Sequence, residues 1–175
     1  MSISLYQASI PTYLQVLRAT AGFMQRGLEH ARENGIDPGD IVAARIHPDM
    51  RPFRFQIRSV VHHSLGAIRG IQAGEFTPPV MQTEHDYAAL QGLVDAAISG
   101  LQDMGADEVD GCAGTQVIFA IGHRRLSFRA EDFLFSFSQP NFHFHVTTAY
   151  DILRMRGVPL GKRDYLGRLP YLRPA

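Results

Sequence analysis

Residues 140–167 read PNFHFHVTTAYDILRMRGVPLGKRDYLG, a stretch that places an apolar helix beside three polar side chains. The helix is predicted to end before Gly157, because a glycine with a proline soon after it is typical of a helix C-terminus. Asn141 and His145 are four residues apart and therefore share one face of the helix. His143 points elsewhere, and we expect it to face outward or to lie at an interface. Function is therefore expected to depend on the polar atoms of Asn141 and His145.

Three further helices are predicted upstream, because apolar residues recur there at helical spacing. Ser9 is the predicted cap of the first helix, and Thr83 with Asp86 resembles a capping box before the third. Pro140 is expected to kink or restart the last helix, since proline removes a backbone donor. The four predicted helices span residues 9–34, 51–73, 83–105 and 130–156, with a short helical turn at 37–44.

A small β-hairpin is predicted between the third and fourth helices. Two apolar runs, 116–121 and 126–128, flank the turn sequence Gly122-His123-Arg124-Arg125. A hairpin of this size is marginal alone and would have to lean on the helices. The sequence therefore predicts one all-α domain over residues 1–175: an up-down four-helix bundle with a hairpin insertion before the last helix and a C-terminal tail.

Charge and cysteine content exclude several classes of protein. Seventeen basic residues balance seventeen acidic ones, so no nucleic-acid partner and no attraction to an anionic membrane surface is expected. The clusters Arg124-Arg125 and Lys162-Arg163 are too small to change this expectation. Cys112 is the single cysteine, which excludes an internal disulfide and a thiolate zinc cluster. With no signal-peptide pattern and no apolar run of about 20 residues, the chain is expected to be a soluble cytoplasmic protein.

Eight histidines in one domain suggest a metal site, and each has a simpler explanation. His62 and His63 are adjacent, so they point roughly 100° apart and only one can face the core. His63 lies at the edge of the buried stripe that contains Ile57 and Val60. In isolation, a histidine there is more often a hydrogen-bonded boundary residue than a metal ligand. The histidines expected at the surface are His30, His47, His85 and His123.

The spacing of Asn141 and His145 is that of two ligands from one helix, as in the HExxH pattern. The first member is Asn, whose amide oxygen binds zinc or nickel more weakly than imidazole does and is closer to what calcium, magnesium or manganese prefers. Cys112 lies in a glycine-rich loop with no adjacent base, so a nucleophilic role is not expected. Phosphate-binding patterns of the GxGxxG and GxxxxGK[ST] types are absent.

Three stretches carry a resemblance to a known family: MSISLYQASIPTYLQVL, IDPGDIVAARIHPDMRPFRFQIRSVVHH and the stretch quoted first. Across essentially its whole length the chain resembles an uncharacterised DinB-like family known only as a domain of unknown function. That family belongs with the DinB/YfiT-like metalloenzymes. The resemblance implies a four-helix bundle, often a homodimer, with a metal held by one His from the second helix and an HxxxH pair from the fourth.

Applied residue by residue, the resemblance gives a candidate metal site. His63 matches the ligand from the second helix. His145 matches the second histidine of the HxxxH pair, because it stands twelve residues before Gly157 of the closing GVP segment. Asn141 occupies the position of the first histidine of that pair. The resemblance therefore implies one divalent ion, zinc, nickel or manganese, held by His63, His145 and Asn141.

Two functions remain open at this stage. In the first, the protein is a metal-dependent enzyme, and similarity suggests a thiol S-transferase or hydrolase-like activity on a small-molecule substrate or low-molecular-weight thiol. In the second, the bundle binds no metal and is not a catalyst. Its polar residues then form a ligand pocket or support a dimer scaffold. Asn141 is the residue on which the choice depends.

Overall fold

Helices make up most of the chain in the computed structural model, which describes residues 3–79 and 84–171. The helical segments are α1 Leu5–Glu33, α2 Pro38–Ala43, α3 Phe53–Val61, π1 His62–Gly66, α4 Ala67–Ala73, α5 Tyr87–Gln102, α6 Ala106–Asp110, α7 Ala130–Asp132, π2 Phe133–Ser138, α8 Gln139–Met155 and α9 Lys162–Leu166. Two of these segments are π-helical: π1 joins α3 to α4, and π2 joins α7 to α8. The strands are β1 Glu75–Phe76, β2 Gln116–Ile121 and β3 Arg124–Arg129. The prediction of a mainly helical chain is confirmed.

Helix α1 begins earlier than predicted. Ser4 is its cap: the Ser4 hydroxyl accepts from the backbone of Gln7 at 3.3 Å, and the Gln7 side chain accepts from the Ser4 backbone at 3.4 Å. The predicted cap, Ser9, is wrong. Ser9 is buried inside the helix, where its hydroxyl donates to the Leu5 carbonyl at 2.7 Å. The capping box satisfies backbone groups at both of its ends, and it leaves Pro11 within the helix.

Helices α1, α3, α5 and α8 contribute to one core. α1 contacts α5 and α8, and α3 contacts the same two helices. The largest fully buried side chains in this core include Tyr13, Phe23, Phe53, Phe133 and Phe142. This packing places π1 and π2 against one another and sets the α3 and α8 faces that carry the candidate residues.

Among the described residues, the sheet has three strands rather than the predicted two. The predicted hairpin runs lie within β2 and β3, which pair antiparallel, and β1 pairs parallel with β2. β1 forms because Gly74 adopts φ 72°, a left-handed conformation that ends α4 and turns the chain toward the sheet. Aromatic rings then cover the sheet: Phe76 packs on Phe133 with centroids 5.0 Å apart, and Phe119 packs on Phe137 at 4.8 Å. The sheet therefore packs against π2.

The remaining helix boundaries agree with the prediction only in part. Thr83 lies outside the described residues, and Asp86 is itself the cap of α5, accepting from the Ala89 backbone at 2.8 Å. The restart expected at Pro140 is present: α8 begins at Gln139, directly after π2, and Pro140 falls in its first turn, where the missing backbone donor is tolerated. The predicted tail contains α9, which packs on α1. Within the described ranges, no helix is both long and apolar enough to cross a membrane.

Candidate functional site

The two π-helical segments meet at His63 and Ser138. The Ser138 hydroxyl donates to the His63 carbonyl at 3.0 Å, and it lies 3.3 Å from Nδ1 of the same residue. Because the hydroxyl hydrogen is used on the carbonyl, the ring nitrogen must supply the hydrogen in the second contact. His63 therefore carries its hydrogen on Nδ1, and its Nε2 has a lone pair and no hydrogen-bond partner among the described residues. π-helical turns are frequent at functional sites.

His145 has the same tautomer for a similar reason. Gln56 is buried, and its Nε2 donates to the Arg51 carbonyl at 2.8 Å, which fixes the orientation of the amide. Gln56 Oε1 is thus an acceptor, and it lies 2.7 Å from Nδ1 of His145. The His145 hydrogen is therefore on Nδ1, which leaves Nε2 with its lone pair available.

The structure brings His63 and His145 together across the α3–α8 contact. Their ring centroids are 5.9 Å apart, and the ring planes differ by 17°, so the imidazoles lie nearly parallel. Two imidazoles from neighbouring helices, each with a second residue holding its Nδ1, form the arrangement usual for histidine metal ligands. These two residues are the centre of the candidate site.

Asn141 lies one turn before His145 on α8. Its side-chain Nδ2 donates to the Phe137 carbonyl at 2.7 Å, so its Oδ1 is oriented away from that carbonyl and has no hydrogen-bond partner in the described part of the chain. Asn141 makes no hydrogen bond to His63 or to His145 among these residues. Within residues 3–79 and 84–171, no group of three or more His, Cys, Asp and Glu side chains is placed to hold a metal ion.

Both imidazoles are neutral near pH 7. Burial, together with smaller contributions from electrostatic repulsion by His62 and His145, lowers the pKa of His63 to about 3. Burial lowers the pKa of His145 to about 4. A neutral imidazole is the form that binds a metal ion, so neither residue has to lose a proton first.

Aromatic side chains surround the two histidines. His63 lies 5.5 Å from the ring of Phe76 and 5.7 Å from that of Phe137. His145 lies 5.8 Å from Phe55 and 5.2 Å from Phe144. Phe144 is 58% exposed, so this side of the site reaches the surface. The surroundings are apolar and explain why burial dominates both pKa shifts.

His143, predicted to face outward or to lie at an interface, does not face outward. It is half-buried, and its Nδ1 lies 3.1 Å from the Tyr165 hydroxyl on α9. His62 stacks on Phe76 with centroids 4.2 Å apart, and its Nε2 is buried without a hydrogen bond within the described residues. Of the histidines expected at the surface, His47 and His123 are exposed, whereas His30 and His85 are half-buried.

Cys112 is not placed for nucleophilic chemistry. The residue is buried, and its thiol donates to the Glu108 carbonyl at 3.4 Å. Burial raises the pKa of the Cys112 thiol, which disfavours the reactive thiolate. The residue therefore contributes packing at the end of α6.

Sequence reasoning missed the two residues that orient the histidines. Gln56 could have been found, because it stands seven residues before His63 and is a polar side chain on an otherwise apolar helix face. Ser138 carried no such signal, since it is 75 residues from His63 in the chain. The contact between π1 and π2 brings Ser138 to His63.

The low pKa of His63 predicts that stability falls in mild acid. An unfolded histidine gains its proton near pH 6.5, whereas folded His63 gains it only near pH 3, so the unfolded state binds more protons between these values. The free energy of unfolding contributed by His63 is therefore fully present above pH 6.5 and decreases below it. Between pH 6.5 and 5 we expect a loss of about 2 kcal/mol from this residue, at about 1.4 kcal/mol per pH unit.

Urea denaturation of the wild type and of His63→Leu at several pH values checks this expectation. The variant should show a smaller decrease of the free energy of unfolding between pH 6.5 and 5, whatever its stability at pH 7. His123→Leu is the matched control for the loss of an imidazole, because His123 is exposed in the turn between β2 and β3. Equal pH dependence in the wild type and His63→Leu would contradict the neutral burial of His63.

Comparisons with known proteins agree with this fold. A family model described as Domain of unknown function (DUF1993) matches residues 5–166. The crystal structure of a DinB family member protein from Shewanella denitrificans is similar over 97% of this chain and 96% of that chain, with a TM-score of 0.83 and 22% sequence identity. At this identity the likeness shows a shared fold. No curated protein matches the chain.

Proposed function

The chain belongs to the family described as Domain of unknown function (DUF1993), and from this premise we propose that it is a metal-dependent enzyme with a divalent ion between His63 and His145. The contacts of α1, α3, α5 and α8 support an up-down four-helix bundle of the DinB-like type as its scaffold, with β2 and β3 as an inserted hairpin. His63 is supplied by the second long helix of this bundle, and His145 by the fourth.

The observation that carries the proposal is the pair of neutral imidazoles, each with an Nε2 that has no hydrogen-bond partner in the described part of the chain. Ser138 and Gln56 occupy the two Nδ1 positions, so the lone pairs that remain are those on the ε nitrogens. In metal sites, the histidine nitrogen that does not bind the ion commonly donates a hydrogen bond to a second residue. The residues present therefore fit a bound ion, and the nitrogen donors favour zinc or nickel over calcium or magnesium.

Asn141 is proposed as the third ligand through Oδ1. Its Nδ2 is occupied by the Phe137 carbonyl, so the oxygen is the atom left for binding. A neutral amide oxygen is a weaker donor to zinc or nickel than imidazole is, and manganese accepts it more readily. The proposed site thus has three neutral donors and binds its ion less tightly than a three-histidine site would.

The proposed activity is thiol S-transfer, or a hydrolase-like reaction, on a small-molecule substrate or low-molecular-weight thiol. An ion in this site would act as a Lewis acid and, with only neutral protein donors, would attract an anionic thiolate. The rings of Phe55, Phe137 and Phe144 would limit the access of water and provide an apolar approach. Ser138 and Gln56 would keep the imidazoles oriented throughout.

Metal uptake by untagged protein tests the proposal. The chain is purified without an affinity tag, stripped of metal and titrated with zinc, nickel and manganese in a calorimeter. We expect saturable binding of one ion per chain for zinc or nickel. The loaded protein should then accelerate the reaction of a reduced low-molecular-weight thiol with an aromatic chloride. Absence of saturable binding for all three ions would contradict a metal-dependent function.

A second function is favoured by Asn141 itself. Its amide nitrogen donates to the Phe137 carbonyl, and in the described ranges no group of three or more His, Cys, Asp and Glu side chains is placed to hold a metal ion. In this alternative, the bundle binds no metal, and His63, Asn141 and His145 line a pocket for a polar ligand or support a dimer scaffold. A natively folded protein that takes up no zinc, nickel or manganese would support this alternative over the metal-dependent enzyme.

A cytoplasmic homodimer is proposed as the state of the protein. The buried thiol of Cys112 suits a reducing compartment. Phe144 and Met155 are 58% and 51% exposed and lie eleven residues apart, on one face of α8, which supports a contact between two copies. Light scattering during gel filtration should give about twice the 19.5 kDa of one chain.

A further inference from the structure

A groove between α1 and α9 is lined by several arginine side chains, none of which belongs to the proposed metal site. Its volume is about 370 Å³, a size that suits a small molecule, and it is lined by Arg18 and Arg26 from α1 and by Arg163 from α9. Arg168, just beyond α9, also lines it. Asp164 is the single acid among the described residues of the lining. A chain whose net charge is zero therefore has a strongly basic groove on one side.

The α9 wall of this groove is held in place by Arg26. Its guanidinium lies 2.5 Å from the Asp164 carboxylate and also donates to the Pro159 carbonyl at 2.5 Å. Gln15 on α1 donates to the Leu166 carbonyl at 2.8 Å, at the other end of α9. These contacts fix a short helix that could not form a stable wall alone.

Three arginines remain available in the groove once Arg26 is paired. Arg18, Arg163 and Arg168 are exposed, and none forms an ion pair among the described residues. A guanidinium binds phosphate and carboxylate oxygens through two parallel hydrogen bonds. Three guanidinium groups offer more hydrogen-bond donors than the two oxygens of one carboxylate can accept, so the groove favours a ligand with several anionic oxygens.

Small residues keep the groove open and close to the backbone. A Cβ atom at Gly22 would have no atom within 4 Å, so this position on α1 faces open space. A Cβ at Gly167 would lie 3.0 Å from Ala19, and Gly167 adopts φ 62°, which favours glycine. The chain after α9 can therefore approach α1 closely while the volume beside Gly22 stays free.

We propose that this groove binds a small soluble ligand that carries a diphosphate or several phosphate groups, through Arg18, Arg163 and Arg168. Arg26 acts as a positioning residue, since its guanidinium is already engaged by Asp164 and Pro159. The proposed ligand is distinct from any substrate of the His63–His145 site, because the two sites share no residue. This proposal also gives a role to the GKRDYLG segment, residues 161–167.

Titration with sodium pyrophosphate tests this site, with the full chain and a matched set of variants. The wild type should bind one pyrophosphate per chain at low ionic strength, and the affinity should fall as salt is added. Arg163→Gln and Arg168→Gln should each weaken binding about tenfold or more, since each removes a charged hydrogen-bond donor. Gly22→Leu should prevent binding by filling the groove without a change of charge.

Arg124→Gln is the control, because it removes one exposed arginine from the hairpin and should leave the affinity unchanged. Circular dichroism confirms that each variant is folded. The proposal is overturned if the wild type shows no saturable binding, if Arg124→Gln weakens binding as much as Arg163→Gln does, or if Gly22→Leu has no effect. Binding to phosphatidic acid vesicles without binding to pyrophosphate also overturns it, because it would assign the arginines to a membrane headgroup.

Discussion

Replacing His63 or His145 with alanine is expected to lower the affinity for zinc and nickel by roughly 100-fold or more. Each variant would leave one imidazole and the weak amide oxygen of Asn141, and loss even of a residue that only orients a ligand costs about 10-fold to 100-fold. In each residue Nδ1 is held by a second side chain and Nε2 would bind the same ion, so the two losses should be similar. Calorimetric titration of the metal-free variants measures the effect.

His143→Ala is the matched control for this measurement. His143 stands two residues before His145 on the same helix and is also half-buried, but its partner is the Tyr165 hydroxyl on α9. Its removal should leave metal affinity unchanged while it weakens the attachment of α9. If His143→Ala lowered the affinity as much as His145→Ala, the ion would not be held by the His63–His145 pair.

Asn141→His is expected to raise the affinity for zinc or nickel by about 10-fold to 100-fold. The substitution replaces a weak amide oxygen with an imidazole at the same position of α8, and imidazole is the preferred donor for both ions. It removes the hydrogen bond from Asn141 to the Phe137 carbonyl, a net loss of about 1 kcal/mol of stability. Competition with a chromophoric chelator measures affinities that are too high for calorimetry.

Asn141→Ala separates a ligand role from a structural one. If the amide oxygen binds the ion, alanine should lower the affinity by less than either histidine substitution does, whereas Asn141→His should raise it. Calcium affinity provides a second comparison, since calcium prefers oxygen donors and should not gain from the histidine. No gain in zinc or nickel affinity for Asn141→His would show that position 141 is not directed at the His63–His145 pair.

The helices were predictable because their apolar periodicity is strong, and the errors occurred where tertiary contacts override local pattern. Ser9 was predicted as a cap because Pro11 follows it closely, but the capping box of Ser4 and Gln7 starts the helix at Leu5. The restart expected at Pro140 did occur, because the first turn of α8 tolerates its missing donor. β1 could not be foreseen, because two residues carry no periodicity and pair only when Gly74 directs them to β2.

The candidate site was predictable only in part. The spacing of Asn141 and His145 showed that they share a face, and the family resemblance related them to His63. Sequence could not show that Ser138 and Gln56 set both tautomers, since these contacts span 75 and 89 residues. The arginine groove was missed for the same reason: its residues come from opposite ends of the chain, so no charged run appears in the sequence.

Anomalous diffraction from crystals of untagged, zinc-loaded protein tests the central claim most directly. Data collected on either side of the zinc absorption edge locate the ion independently of the protein coordinates. The site between α3 and α8 predicts one strong peak about 2.0–2.1 Å from Nε2 of both His63 and His145, with Asn141 Oδ1 as the third protein ligand. Peaks confined to exposed histidines such as His47 and His123, with none beside this pair, would contradict it.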